Sequence, residues 1–396
     1  PSLTWQSNLR QSNAAGTPRS ELFDGTLDIE FDQYTARLDA KHGALGPLDA
    51  GTVGVEVKRK EQVSRGTTQL TPGGEVENIG IFALEERSFG ALTLQGGLRH
   101  DWHETLALAS ETSAATTFGD RDRNDYSVTT GSLGAVYGLT PNLAIAANVG
   151  RGFRAPTLFE LYADGVHGGV AAVQQGNADL DAERSLNTDL GLRWESPRLS
   201  ASATVYRNAI DDYIFLEGTV NTAPNGLPVF AYRQDDAVLT GIELQARGRV
   251  TDSLELAATY DAVDGENDTT GDELPLQPAD ELRVEATWFP AAKPPVRDLY
   301  LRFGVRHNRA KDAAPNEPFA QFDNAPFGTA STDEYTVADV GLGFAFGGDA
   351  ERPMRLDLEI RNLTDETYRD FLDTYKGYAL SPGRDIQLEL RVPFGT

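Results

Sequence analysis

The chain has 396 residues, no cysteine and a formal net charge of -25. Disulfides and thiolate metal sites are excluded, and an acidic chain without a basic patch gives nucleic acid no counterions to release. No apolar run of about 18 residues is present to form a transmembrane helix, but a barrel strand needs only about 9–11 residues with alternate positions apolar, so the low mean hydropathy does not argue against a membrane.

In chain order, alternation places a first strand within 1–13, then strands at 32–43, 48–63 and 75–87. Further strands follow at 239–250, 254–260, 281–289, 298–307 and 336–346. The stretch R-P-M-R-L-D-L-E-I-R at 352–361 puts Met354, Leu356, Leu358 and Ile360 on one face and Arg355, Asp357, Glu359 and Arg361 on the other. Successive strand side chains point to opposite faces, so one face is oily and the other fully charged. Ile386, Leu388, Leu390 and Val392 repeat the pattern against Asp385, Gln387, Glu389 and Arg391. Such a sheet needs hydrocarbon on one side and water on the other, which a transmembrane β-barrel provides.

The connections alternate in length. Tight turns at 88–90, 139–142, 196–198 and 251–253, with slightly longer ones at 290–297 and 347–352, separate long polar segments at 110–125, 154–184, 213–236, 264–280, 309–332 and 362–382. Outer-membrane barrels sort short periplasmic turns from long extracellular loops in this way. Tyr137, Trp194, Trp288, Phe289, Phe346 and Phe394 lie near strand ends, as interfacial girdles would. The pattern predicts an all-β fold, an antiparallel transmembrane β-barrel of about sixteen strands, occupying residues 1–396 as one domain. The chain starts at Pro1 without a signal peptide and reads as a mature or truncated product.

Gly150 opens G-R-G-F-R-A-P-T-L-F-E-L-Y at 150–162, followed by G-N-A-D-L-D-A-E-R-S-L-N-T-D-L-G-L-R-W at 176–194. V-Y-R-N-A-I-D-D-Y-I at 205–214 and D-A-V-L-T-G-I-E-L at 236–244 come next, then N-L-T-D-E-T-Y to S-P-G-R within 362–384. Together these stretches resemble TonB-dependent outer-membrane receptors, in family order, from residue 150 to the end. More loosely, E-E-R-S-F-G-A-L-T-L-Q-G-G-L-R at 85–99 is similar to the subgroup with zinc and haem importers. The resemblance implies a barrel of 22 strands plugged by an N-terminal domain. This chain departs from it in carrying no plug or TonB box, in being about six strands short, and in ending P-F-G-T. The resemblance further implies ligand capture by extracellular loops and the plug apex, and energisation by the TonB-ExbB-ExbD system through the missing plug.

His100, His103, His167 and His307 fall at or beyond the extracellular ends of strands. In R-H-D-W-H at 99–103, His100, Asp101 and His103 together suit Zn²⁺ or a similar ion. His100 and His103 stand at an odd offset, so they can share an ion only if the chain leaves the strand there; otherwise they are unrelated surface histidines. Arg151 and Arg154 flank Phe153 and could grip an anionic ligand by bidentate bonding, or they could pair structurally with Glu160 or with acids across the lumen. Tyr162, at the end of the first family-like motif, joins Arg151, Arg154, His167 and His307 as a loop candidate for ligand binding.

The span 261–281 carries eight acids and no Lys or Arg. Asp264, Glu266 and Asp268 could offer oxygens to Ca²⁺, without the full EF-hand spacing, or form a solvated loop. Asp211 and Asp212 could be paired carboxylates, but they face opposite sides of a strand. No G-x-S-x-G, H-E-x-x-H or phosphate loop occurs.

The expected protein is an outer-membrane receptor, not an enzyme, for TonB-energised uptake of a metal chelate such as a siderophore or haem, or of a metal ion. Its only expected bound group is that transported ligand. Its expected surroundings are outer-membrane lipid and lipopolysaccharide, with no nucleic acid. A passive porin-like channel is the alternative, and an outer-membrane hydrolase a weaker one.

Overall fold

Period-two alternation becomes a single sheet. The structure is a computed structural model that describes residues 1–12, 27–65, 69–108, 122–167, 172–274, 276–312, 331–347, 352–373 and 379–394. Eighteen strands belong to the sheet. The first seven are β1 (Ser2–Ser12), β2 (Leu27–His42), β3 (Ala50–Arg65), β4 (Gly73–Phe89), β5 (Leu92–Leu108), β6 (Arg123–Thr140) and β7 (Leu143–Arg154). A short helix α1 (Leu158–Tyr162) and a small hairpin, β8 (Asp164–His167) and β9 (Ala172–Gln175), follow. The rest are β10 (Glu183–Glu195), β11 (Leu199–Thr222), β12 (Pro228–Thr251), β13 (Leu254–Asn267), β14 (Glu281–Trp288), β15 (Val296–Asn308), β16 (Tyr335–Phe346), β17 (Met354–Arg361) and β18 (Asp385–Arg391).

Sixteen of these, all but β8 and β9, form one antiparallel meander in which β7 pairs with β10. Sixteen is the number that alternation predicts. Among the described residues β1 pairs only with β2, and β18 only with β17. The sheet therefore has two free edges.

One end carries the short connections. The β4–β5 turn uses Gly90 at φ 62, in the left-handed region that glycine enters without steric cost. Outward Tyr137, Trp194 and Trp288 ring this end, and outward Trp5, Tyr34 and Trp102 sit about eight to ten residues higher, near the top of the span a strand needs to cross hydrocarbon. Between the two rings the outer wall is apolar: Ile79, Ile81, Leu98, Leu133, Leu190 and Val205 are all exposed.

At the other end two expected loops are partly strand. The segment 213–236 continues β11 to Thr222 and starts β12 at Pro228, so the hairpin rises beyond the wall. Buried Ile214, Val229 and Phe230 explain why it stays ordered there. Asp212, at φ 58, sits where the β11–β12 register shifts between Ile210 and Tyr213. The adjacent Asp pair thus lies at a bulge in β11. Likewise β13 runs on to Asn267, into the segment expected as loop from 264. Most of the expected loops 110–125 and 309–332 lies outside the described residues, as do 168–171 and 374–378.

Candidate functional site

Inward positions carry the charge. On β5, Arg99 and Asp101 face the lumen with Glu56 and Lys58 of β3 and Asn78 of β4. Arg99 grips Asp101 through Nε and Nη2, both at 2.7 Å, and Nη2 also reaches Glu56 at 3.3 Å. Lys58 holds Glu56 at 2.9 Å, and Asn78 donates to Asp101 at 2.9 Å. Gly80 lies directly beneath this pair: a Cβ there would collide with the Arg99 guanidinium. A second belt lines the opposite part of the wall. Arg302 bonds Glu359 at 2.7 Å, Arg361 bonds Glu359 at 3.0 Å, and Tyr300 donates to Asp357 at 2.9 Å. A lumen wall built this way is wet, polar and internally neutralised.

Above the belts, the β7–β10 connection folds inward. Thr157 caps α1 and Glu160 returns the bond, a complete capping box. The helix buries Leu158, Leu161 and Tyr162 against Ala107, Leu180 and Ile214. Strand β9 then adds in parallel to residues 229–231 of β12, which fixes the lobe to the tall hairpin. Arg154 is the tie: its Nη1 lies 2.8–2.9 Å from both Glu160 carboxylate oxygens, and its Nε and Nη2 are 2.8 and 2.5 Å from Glu183. Glu183 also accepts the Ile214 N–H at 2.8 Å.

Beside this lobe a cavity of about 360 Å³ opens at the mouth. Tyr206 and Tyr335 wall it, and Glu243, Asp261, Glu281 and Asp370 line it with carboxylates, with Arg309 at the rim. The Tyr206 ring lies over Gly241, where any larger side chain would displace it. Tyr335 and Tyr368 pack ring on ring at 4.3 Å, and the Arg306 guanidinium lies beside them, 5.5 and 5.7 Å from the two centroids.

The residues singled out from sequence separate on this frame. β5 is unbroken from Leu92 to Leu108, so His100 faces outward, bonded to Thr129 at 2.8 Å, while Asp101 and His103 face inward. The expected metal set does not assemble. His103 meets the Thr105 hydroxyl at 3.2 Å, and Asp101 is engaged by Arg99. Among the described residues no group of three or more His, Cys, Asp or Glu side chains is arranged to hold a metal, the Asp264, Glu266 and Asp268 run included.

Arg151 stands opposite Gly131 and Leu186 on the outward face, away from the mouth. His307 is also outward, 2.9 Å from the Thr336 hydroxyl. Strand parity is the physical reason in both cases. Arg154 takes the structural pairing with Glu160. Tyr162 is buried and donates its hydroxyl to Asn124. His167 remains at the mouth, on the β8–β9 hairpin near Phe159. Sequence reasoning missed the mouth cavity, although Glu243, Asp261, Glu281 and both tyrosines occupy inward strand positions that parity alone would have selected.

A family described as TonB dependent receptor-like, beta-barrel, matches residues 2–363. The chain belongs to the TonB-dependent receptor β-barrel family. The receptor's apolar wall therefore faces the bacterial outer membrane. It is 30% identical over 197 residues to the vitamin B12 transporter BtuB of Photobacterium profundum, covering 48% of this chain and 29% of that protein. It is 27% identical over 238 residues to the ferrienterobactin receptor of Escherichia coli (strain K12), covering 56% and 29%. It is 27% identical over 372 residues to the rhizobactin receptor of Rhizobium meliloti (strain 1021), covering 86% and 44%. The receptor thus spans less than half the length of each of these relatives. Among solved structures, the copper transporter OprC superposes with a TM-score of 0.71 at 18% identity, covering 92% of this chain and 56% of that one. That likeness shows the fold.

Proposed function

We propose that the receptor takes part in TonB-energised uptake of a metal chelate or metal ion and performs no catalysis. Family membership supports the import reading, and the relatives named above are a vitamin transporter and two siderophore receptors. The mouth cavity deepens it. Four carboxylates and two phenols against the single Arg309 leave the cavity with an excess of negative charge, which favours a neutral or cationic ligand. Its size also fits a small chelate, within the range of about 300–1,000 Å³ usual for ligand pockets.

Uptake of labelled ferric, haem, cobalamin and free-metal ligands by cells expressing the receptor tests this, with the proton-motive force intact or collapsed. Saturable accumulation of one ligand that stops on collapse is expected. Replacing Glu243→Gln with Asp261→Asn should weaken a cationic ligand by roughly fivefold per carboxylate, the factor equivalent to about 1 kcal/mol between charges near contact in water. Unsaturable flux that persists after collapse would make the protein a passive channel.

A further inference from the structure

The outward face carries arginines of two kinds. Arg59, Arg65 and Arg123 stand high on the wall and each has an acid: Arg59 lies 2.9 Å from Glu61, Arg65 3.0 Å from Glu30, and Arg123 2.6 Å from Glu104. Arg151 on β7, Arg184 on β10 and Arg207 on β11 also face outward and are exposed, yet none forms an ion pair among the described residues. The nearest acid in register is Asp211, opposite Arg184.

Register places the three at the corners of a triangle across β7, β10 and β11. On β10, Arg184 is followed on the same face by Leu186, opposite Arg151, and then by Thr188, opposite Arg207. Arg184 and Arg151 are therefore diagonal neighbours, about 7–8 Å apart. Arg151 and Arg207 stand two strands and two residues apart, roughly 12 Å, and Arg184 and Arg207 one strand and four residues apart, roughly 14 Å. Long arginine side chains at these spacings can reach toward a large headgroup that carries more than one phosphate oxygen.

Height decides the environment. Arg151 is about eight residues above the start of β7, Arg207 about eight above the start of β11, and Arg184 about eleven above the end of β10, at the upper end of a span of about 9–11 residues. Below them the same three strands show a largely apolar surface to the membrane: Val149, Leu186, Leu190 and Val205 are between 41% and 49% exposed. An arginine on a lipid face costs about 2–4 kcal/mol at the midplane and nearly nothing at the interface. At the interface its strongest partner is a phosphate, bound through the guanidinium fork.

We propose that Arg151, Arg184 and Arg207 form a headgroup site for a phosphorylated lipid of the outer leaflet, with its acyl chains lying over Val149, Leu190 and Val205. Charge complementarity commits the surface to a lipid phosphate. Arg59, Arg65 and Arg123 are neutralised at ion-pair distance and, among the described residues, Arg151, Arg184 and Arg207 are not, and the apolar wall beneath them suits chains anchored by the same molecule.

The test uses the full chain expressed in an outer membrane and transferred to neutral-lipid nanodiscs. Binding of phosphorylated lipid A and of the same lipid A after enzymatic dephosphorylation is measured by native mass spectrometry. The unmodified protein should prefer the phosphorylated form. The combined change Arg151→Gln, Arg184→Gln and Arg207→Gln should weaken it about fivefold per arginine, on the order of a hundredfold together, the factor set by basic residues near an anionic membrane surface. Lysine at the three positions should keep most of the binding, and Arg59→Gln with Arg65→Gln should leave it unchanged. Equal binding of the two lipid forms to the unmodified protein would overturn the proposal whether or not any variant folds. Full binding by the triple glutamine variant would overturn it as well.

Discussion

At the residue scale, the site divides into groups that build and groups that face the ligand. Arg154 builds. Removing it leaves Glu160 and Glu183 facing one another, and Glu183 still holds the Ile214 N–H. Breaking a fully buried pair costs about 3–5 kcal/mol. The Arg154 side chain is 41% exposed, so solvent screening lowers the cost, and Arg154→Ala should lose about 1–2 kcal/mol. Faster amide exchange across α1 and residues 211–217 than in the rest of the sheet would show it; unchanged exchange would mean that the helix is held by its apolar face alone.

His167 is the residue whose protonation matters at the mouth. Burial pushes its imidazole below the ordinary value of 6.5; Gln174 opposes this and the Arg10 charge adds to it. The docked β8–β9 hairpin therefore excludes a proton that the undocked one accepts. Docking is complete above the ordinary histidine range and weakens as pH falls through it. Exchange at 164–167 and 172–175, corrected for intrinsic rates, should be faster near about pH 5 than near about pH 7.5, and His167→Gln should abolish the difference. Equal protection at both pH values would remove the imidazole from the account.

At the scale of the element, each strand is a sorting device. Leu98 and Arg99 are neighbours in sequence and face different solvents. Leu98→Arg should destabilise the folded barrel by about 2–4 kcal/mol in liposomes, whereas Gln95→Arg, inward on the same strand, should be nearly neutral. Denaturant titration from lipid vesicles measures both, and equal costs would refute the assigned faces.

The same parity explains what was legible. Met354, Leu356, Leu358 and Ile360 alternate without interruption, so strand, face and membrane follow from sequence. The rise of β11 to Thr222 was not legible, because it depends on burial of Ile214 against α1, more than fifty residues earlier in the chain. The candidate site failed for a related reason. Arg151 and His307 have suitable chemistry and height, but each stands at the parity of its own strand that faces lipid. Glu243 and Glu281 read as ordinary acids until the meander curves them toward Tyr206 and Tyr335.

At the scale of the whole molecule, the sheet is an outer-membrane wall with two ionic belts inside and a mouth lobe folded into the opening. The outward residues of β1 and β18, Leu3 at 83% and Leu388 at 68% exposed, continue the apolar surface to the edges. In hydrocarbon, each backbone group left unpaired along such an edge would cost several kcal/mol, so both edges require strand partners in the membrane.

One face of each strand meets lipid and the other meets water. The chain has no cysteine, so single cysteines can be placed at each position from 97 to 103 of β5 without background. Labelling in intact membranes with a charged, water-soluble thiol reagent should mark positions 97, 99, 101 and 103, and a lipid-soluble quencher should reach fluorophores at 98 and 102. Uniform labelling along the strand, or quenching at 99 and 101, would contradict the barrel wall on which every other conclusion rests.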